Sequence, residues 1–243
     1  MHSAASQFKL MRMDKPLSIW SRIAAIIAAL ARGEGLSVVF DYLRAPPERS
    51  VAFTIAVIAL GAKMAKADGH VTRNEVETFR RIFQIPREEE ENAARVFNLA
   101  RTDVAGFDAY ARKIAAMFGP GDPVLKDILE GLFAIAVADG DYHEAEDAFL
   151  LEVARIFGLE QCCFRSIKAT LVPDAEPDPW TVLEVTPGAP LDQVRAAWRK
   201  AVREAHPDRA IARGLPEEAV KLAQERTVAL NRAWAEIQAS TAA

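Results

Sequence analysis

Between Leu191 and Ala205 the apolar residues fall at Leu191, Val194, Trp198, Ala201, Val202 and Ala205, which is the spacing of a single helix face. The other side carries Arg195, Arg199, Lys200 and Arg203 against only Asp192 and Glu204, a net positive stripe that faces water. Pro207 stops this helix, because a proline disfavours the α conformation in the residue before it and donates no backbone hydrogen bond. His206 and Asp208 are therefore displayed at a turn. A short loop ends at Gly214, Pro216 suits a first helical turn, and Glu217 and Glu218 complement the N-terminus of a second helix. The seam positions of that helix, Ala223, Thr227, Leu230, Trp234 and Ile237, alternate steps of four and three, as antiparallel pairing with the first helix requires. The product is a helical hairpin with His206-Pro207-Asp208 at its tip. By themselves these residues leave several readings open: a merely solvated basic face, an ordinary turn, or His206 and Asp208 as a general base pair or two metal ligands. No Ser, Cys or third ligand is signalled nearby, which argues against chemistry.

The hairpin resembles the J domain of the DnaJ family. Asp178-Pro179-Trp180-Thr181-Val182-Leu183-Glu184-Val185 is similar to the short opening helix of that family, written D-x-Y-x-x-L-G-V, with Trp180 for the usual Tyr and Glu184 for the usual Gly. Asn231-Arg232-Ala233-Trp234 resembles its N-x-A-Y segment. The resemblance spans about 65 residues, with its features in the family's order. It implies co-chaperone work: binding to a DnaK-type 70-kDa heat-shock chaperone and stimulation of its ATP hydrolysis. His206, Pro207 and Asp208 would be the trigger, and Arg195, Arg199, Lys200 and Arg203 the docking surface. A cationic stripe steers encounter with an acidic partner and sets register more than affinity, so weak, salt-sensitive binding is expected.

At 243 residues and 51% hydrophobic content, the chain has room for two domains and at least one sizeable core. A net charge of −4 argues against a dedicated nucleic-acid binder. The cysteines are the adjacent pair Cys162 and Cys163, which fits neither a disulfide framework nor a C-x-x-C motif and suits a reducing cytoplasm. Ile23 to Ala31 is an apolar run bounded by Arg22 and Arg32, too short to span a bilayer, which takes about 20 residues. No transmembrane segment is expected. Leu17, Trp20, Ile23, Ile27 and Leu30 share one face, so a docked helix of the core is expected there, the alternative being peripheral contact with the inner membrane.

The pattern divides the chain into an N-terminal tail with amphipathic helices (1–50), a helical domain (51–171), an acidic Pro-rich linker (172–179) and the J-like hairpin (180–243). Val51 to Lys66 is strongly apolar, with Phe53, Val57, Leu60 and Met64 at helical steps, as in a central buried helix. Further helices are read at 72–83, 87–100, 104–118, 123–138, 144–157 and near 159–170, and no stretch carries strand-like β-branched alternation. The fold class is all-α. Val172 to Pro179 holds three prolines and three acids, a stiff, solvated linker expected to leave the angle between the domains free.

Inside the helical domain lies a repeat. Ala67-Asp68-Gly69 and Ala138-Asp139-Gly140 stand 71 residues apart, each followed by a glutamate seven positions after the aspartate, Glu75 and Glu146. This A-D-G-x-x-x-x-x-E pattern resembles the TerB-like family of helical domains, over roughly Val51 to Ile167. In that family the acids are proposed to hold a divalent cation. Here they would be Asp68, Glu75, Asp139 and Glu146, with Asp141 and Glu144 nearby, and hard carboxylate oxygens would suit Ca²⁺, Mg²⁺ or Mn²⁺. Helix capping accounts for the same residues: Gly69 and Gly140 close one helix, and Thr72 to Glu75, like His143 to Glu146, opens the next. Capping is the preferred reading, so no cofactor is required.

The order TerB-like domain, Pro-rich linker, terminal J domain resembles the DjlA-type branch of J proteins, linked to envelope stress. Several members carry an N-terminal membrane helix, which this sequence is not expected to form. The expectation is a cytoplasmic, non-enzymatic co-chaperone whose bundle serves client, partner or metal binding. The alternative is a metal-binding stress module in which the J hairpin is a scaffold.

Overall fold

The structure, a computed structural model, describes residues 48–67, 106–119, 121–138, 140–172 and 178–242, with a few positions between 90 and 98. All regular structure in these residues is α-helical: α1 (Glu48–Ala67), α2 (Phe107–Phe118), α3 (Pro123–Ala136), α4 (Glu144–Ile156), α5 (Gln161–Leu171), α6 (Pro179–Val182), α7 (Leu191–Ala205), α8 (Pro207–Ala212) and α9 (Glu217–Ala242). The all-α expectation holds. The expected helix carrying Leu17 to Leu30 and the one at 72–83 lie outside the described residues, as does most of 87–100.

The bundle is built on α1 and α3, apolar on nearly every side. From Phe53 to Met64 the residues of α1 are buried, so this helix sits in the interior as its all-round hydrophobicity demands. Helix α3 starts where Asp122 accepts a 2.9 Å hydrogen bond from the Val124 amide and Pro123 fills the first helical position. It packs against α1, α2, α4 and α5. Phe133, fully buried on α3, meets the rings of Tyr142 at 6.0 Å and Phe164 at 5.3 Å, while Phe107 of α2 reaches Phe149 of α4 at 4.4 Å. Two polar residues break the apolar surface of α3. Asp127 and Glu130 are both buried there.

In the C-terminal unit Asp178 caps α6 by accepting from the Thr181 amide at 2.9 Å and its hydroxyl at 2.6 Å. Helices α7 and α9 run antiparallel. Trp198, midway along α7, stacks on Trp234, late in α9, whereas Ala205 at the end of α7 accepts from the hydroxyl of Thr227 at 3.2 Å. The seam of α9 is divided between two cores. Leu230, Trp234 and Ile237 join Val182, Leu183 and Val194 in the hairpin's own core, while Ala223, with Ala219 and Leu215, packs into the core of the bundle.

One sequence expectation needs correction. The segment after the turn is not a plain loop: Pro207–Ala212 forms α8, because His206 takes an extended conformation (φ −61°, ψ 132°), its Nδ1 accepts from the Asp208 amide, and Pro207 occupies the first helical position. Gly214, at φ 73°, then makes the left-handed exit. The linker residues 173–177 lie outside the described residues, but the units they join are in contact, α6 against α5 and α9 against α3. At that contact Ser166 donates to the Val182 carbonyl at 2.8 Å, Lys126 pairs with Glu184 at 3.1 Å, Arg213 lies 2.9 Å from Asp127, and Arg226 bonds Glu130.

Glu184 sits at φ 57°, the left-handed conformation that explains why glycine is usual there. A side chain at this position carries backbone strain, and here it reaches across to Lys126.

Candidate functional site

The amphipathic pattern of α7 fixes which side chains meet solvent. Val194 and Ala205 are buried, Trp198, Ala201 and Val202 are half-buried, and Arg195, Arg199, Lys200 and Arg203 are exposed. The stripe therefore lies on the surface. Arg195 also holds its guanidinium 5.8 Å from the Trp234 ring, which ties the first cation of the stripe to the hairpin core.

His206 and Asp208 project from the end of the stripe with 52% and 83% of their side chains exposed. Their mutual geometry is local: the Asp208 amide donates to His206 Nδ1 at 3.2 Å, and an Asp208 carboxylate oxygen stands 3.5 Å from the same nitrogen. Nε2 remains directed away from this bond. Pro207 between them locks the backbone, so the turn presents an imidazole and a carboxylate in a fixed relation. The turn faces outward.

Beside it runs a shallow groove of about 400 Å³, lined by Trp198, Arg199, Val202, Arg203, His206 and Arg209. Its floor is apolar and its rim cationic, and its lining has no hydroxyl or thiol nucleophile. Such a surface suits an acidic partner segment with some apolar content. The stripe is not all on this side. Lys200 instead lines, with Glu204 and Arg209, a cleft of about 450 Å³ between the hairpin and the bundle. Arg209 and Trp198 were not among the residues read as functional. The spacing of Arg209, three positions after His206, becomes informative only once α8 exists.

The proposed cation ligands are not drawn together among the described residues. Asp141 and Glu144 are exposed, and a carboxylate oxygen of Glu146 accepts from the His143 amide at 2.9 Å, which is the capping role. Among the described residues no group of three or more His, Cys, Asp or Glu is placed to hold a metal ion. Asp68, Glu75 and Asp139 lie outside the described residues. Cys163 is buried, and burial pushes its thiol up to about 11, so it is an inert core thiol.

The described residues thus define an all-α protein in which a cationic helical hairpin, bearing an imidazole-carboxylate turn, is packed on a helical bundle. Residues 54–169 match the family model of tellurite resistance protein TerB. The chain is 27% identical over 213 residues to the co-chaperone protein DjlA of Photobacterium profundum, covering 77% of each chain. It is 21% identical to the co-chaperone protein DjlA of Escherichia coli K12, over 90% of this chain and 96% of that one. A shorter stretch of 55 residues is 44% identical to the co-chaperone protein DjlA of Legionella pneumophila, covering 23% of this chain and 19% of the relative. No solved structure matches. The chain is thus similar to DjlA co-chaperones over most of its length and to the TerB family over residues 54–169. Among the described residues no helix is long and apolar enough to cross a membrane, and the apolar run at 23–31 lies outside them.

Proposed function

We propose that this chain binds a DnaK-type 70-kDa heat-shock chaperone through α7 and the His206 turn and stimulates its ATP hydrolysis. The observation that carries the reading is the exposure of His206, Asp208, Arg195, Arg199 and Arg203 on the hairpin while that hairpin is packed on the bundle. Nothing has to move before a partner can reach them. Guanidinium groups steer an acidic surface toward α7, and the short-range register then comes from the apolar floor of the groove. Once seated, the partner meets an imidazole and a carboxylate whose spacing Pro207 fixes, and it is the partner's own nucleotide site that does the chemistry. The bundle would serve to select a client or a location, from the cytoplasm or the inner face of a membrane.

Steady-state ATPase measurements of a DnaK-type chaperone, with and without the chain, test this reading. Wild type raises the rate and His206→Gln does not, although the variant keeps its helicity, since His206 packs into no core. Equal stimulation by both would end the proposal.

A further inference from the structure

The contact between hairpin and bundle has the composition of a joint that opens. It is ionic in a fixed order: along α3, Lys126 faces Glu184, Asp127 faces Arg213, and Glu130 faces Arg226, which also approaches Asp127 at 3.8 Å. One cation and two anions on the bundle thus meet one anion and two cations on the hairpin. The complementarity sets the register and rejects a shifted one. The apolar part is slight. From the hairpin it is Ala210, Ala219 and Ala223 with Leu215 and the half-buried Val220, and alanines bury little area per contact.

One of the three pairs is imperfectly satisfied. Arg213 and Asp127 are nearly buried and 2.9 Å apart, yet Asp127 Oδ2 and the Nε and terminal nitrogen of Arg213 make no aligned hydrogen bond. Buried ions held this way recover only part of their lost hydration, so closure is favoured weakly. The tether counters all of this, because a short linker keeps the two faces at high effective concentration.

We propose that these ions form a releasable clasp, in which α3 of the bundle is a docking site for the chain's own hairpin and, through α8, supports the His206 turn. Ala210 is buried in the bundle's core only two positions beyond Asp208, so opening the clasp removes the support from the residues just after the trigger. The clasp goes beyond the co-chaperone reading and does not depend on it, since its opening and closing need no partner.

The test uses the full chain alone. Glu130→Arg places a cation against Arg226 and opens the joint: the radius of gyration in small-angle scattering rises, and amides from Ala210 to Ala223 exchange about tenfold faster or more, while those of α7 stay protected. Adding Arg226→Glu to the same chain restores the opposite pairing and returns both readings toward wild type. Scattering of Glu130→Arg identical to wild type, or a double variant no closer to wild type than the single one, overturns the proposal. Exchange in the wild-type chain tests it independently should Glu130→Arg not fold. The amides of Leu215 and Ala219 must open at lower cost than that of Leu230 in the hairpin core, and equal cost for all three also overturns it.

Discussion

Trp198 and Trp234 stack with ring centroids 5.3 Å apart and planes within 13°, and the Trp198 indole nitrogen donates to the Asn231 side chain at 3.0 Å. The pair pins the middle of α7 to the late turns of α9 and so sets the plane from which the cationic stripe projects. Trp234 is nearly buried, and truncating a buried tryptophan costs about 3–5 kcal/mol. Trp234→Ala is expected to unfold the hairpin at lower urea concentration, followed by exchange of α7 amides, while the amides of α1 keep their protection.

Glu184 provides a measurement of stored strain. Glu184→Ala and Glu184→Gly both remove the pair with Lys126, so the difference between them isolates the left-handed backbone at φ 57°. The glycine variant should be the more stable of the two by about 1 kcal/mol in chemical denaturation. Equal stabilities would mean that the conformation carries no strain.

The clasp should respond to acid in a defined direction. Burial, reinforced by the neighbouring Glu130 carboxylate and opposed by Arg213 and Arg226, raises Asp127 from 3.8 to about 6. A carboxyl group raised in the closed state holds its proton more tightly there than when exposed. Its contribution to closure is therefore complete below 3.8 and is lost as pH rises through about 6. The groups facing it are Lys126 and Glu130 on α3, Arg213 after α8 and Arg226 on α9. Going from pH 7 to pH 5, amide protection from Ala210 to Ala223, corrected for intrinsic exchange, should increase in wild type, and Asp127→Asn should flatten that dependence.

For the acidic repeat, the bond from the His143 amide to Glu146 favours capping. Glu146→Ala should lower the stability of the bundle by about 1 kcal/mol, and calorimetric titration of the full chain with Ca²⁺, Mg²⁺ or Mn²⁺ should give no binding heat. Saturable heat lost in Glu146→Ala would instead assign these acids to a cation.

Helical periodicity, the break at Pro207, and the display of His206 and Asp208 were all legible in the order of residues, because each is a local property: one face every 3.6 residues, one proline, one turn. The cap read at His143 to Glu146 likewise placed the start of α4. Helix α8 was partly legible, in the proline after His206, but a helix this short depends on what it packs against, and Ala210 packs on the bundle.

The seat of the hairpin was decided by tertiary structure alone. Glu130 and Arg226 stand 96 positions apart, and Lys126 and Glu184 stand 58 apart, so no period connects them. In sequence, Asp127 and Glu130 look like the polar face of an ordinary helix, and Pro-rich residues 172–179 look like a free joint. The seat itself rests on long-range charge complementarity over a small apolar floor. Coulomb attraction and burial depend on distance in space, which the chain specifies only after it has folded.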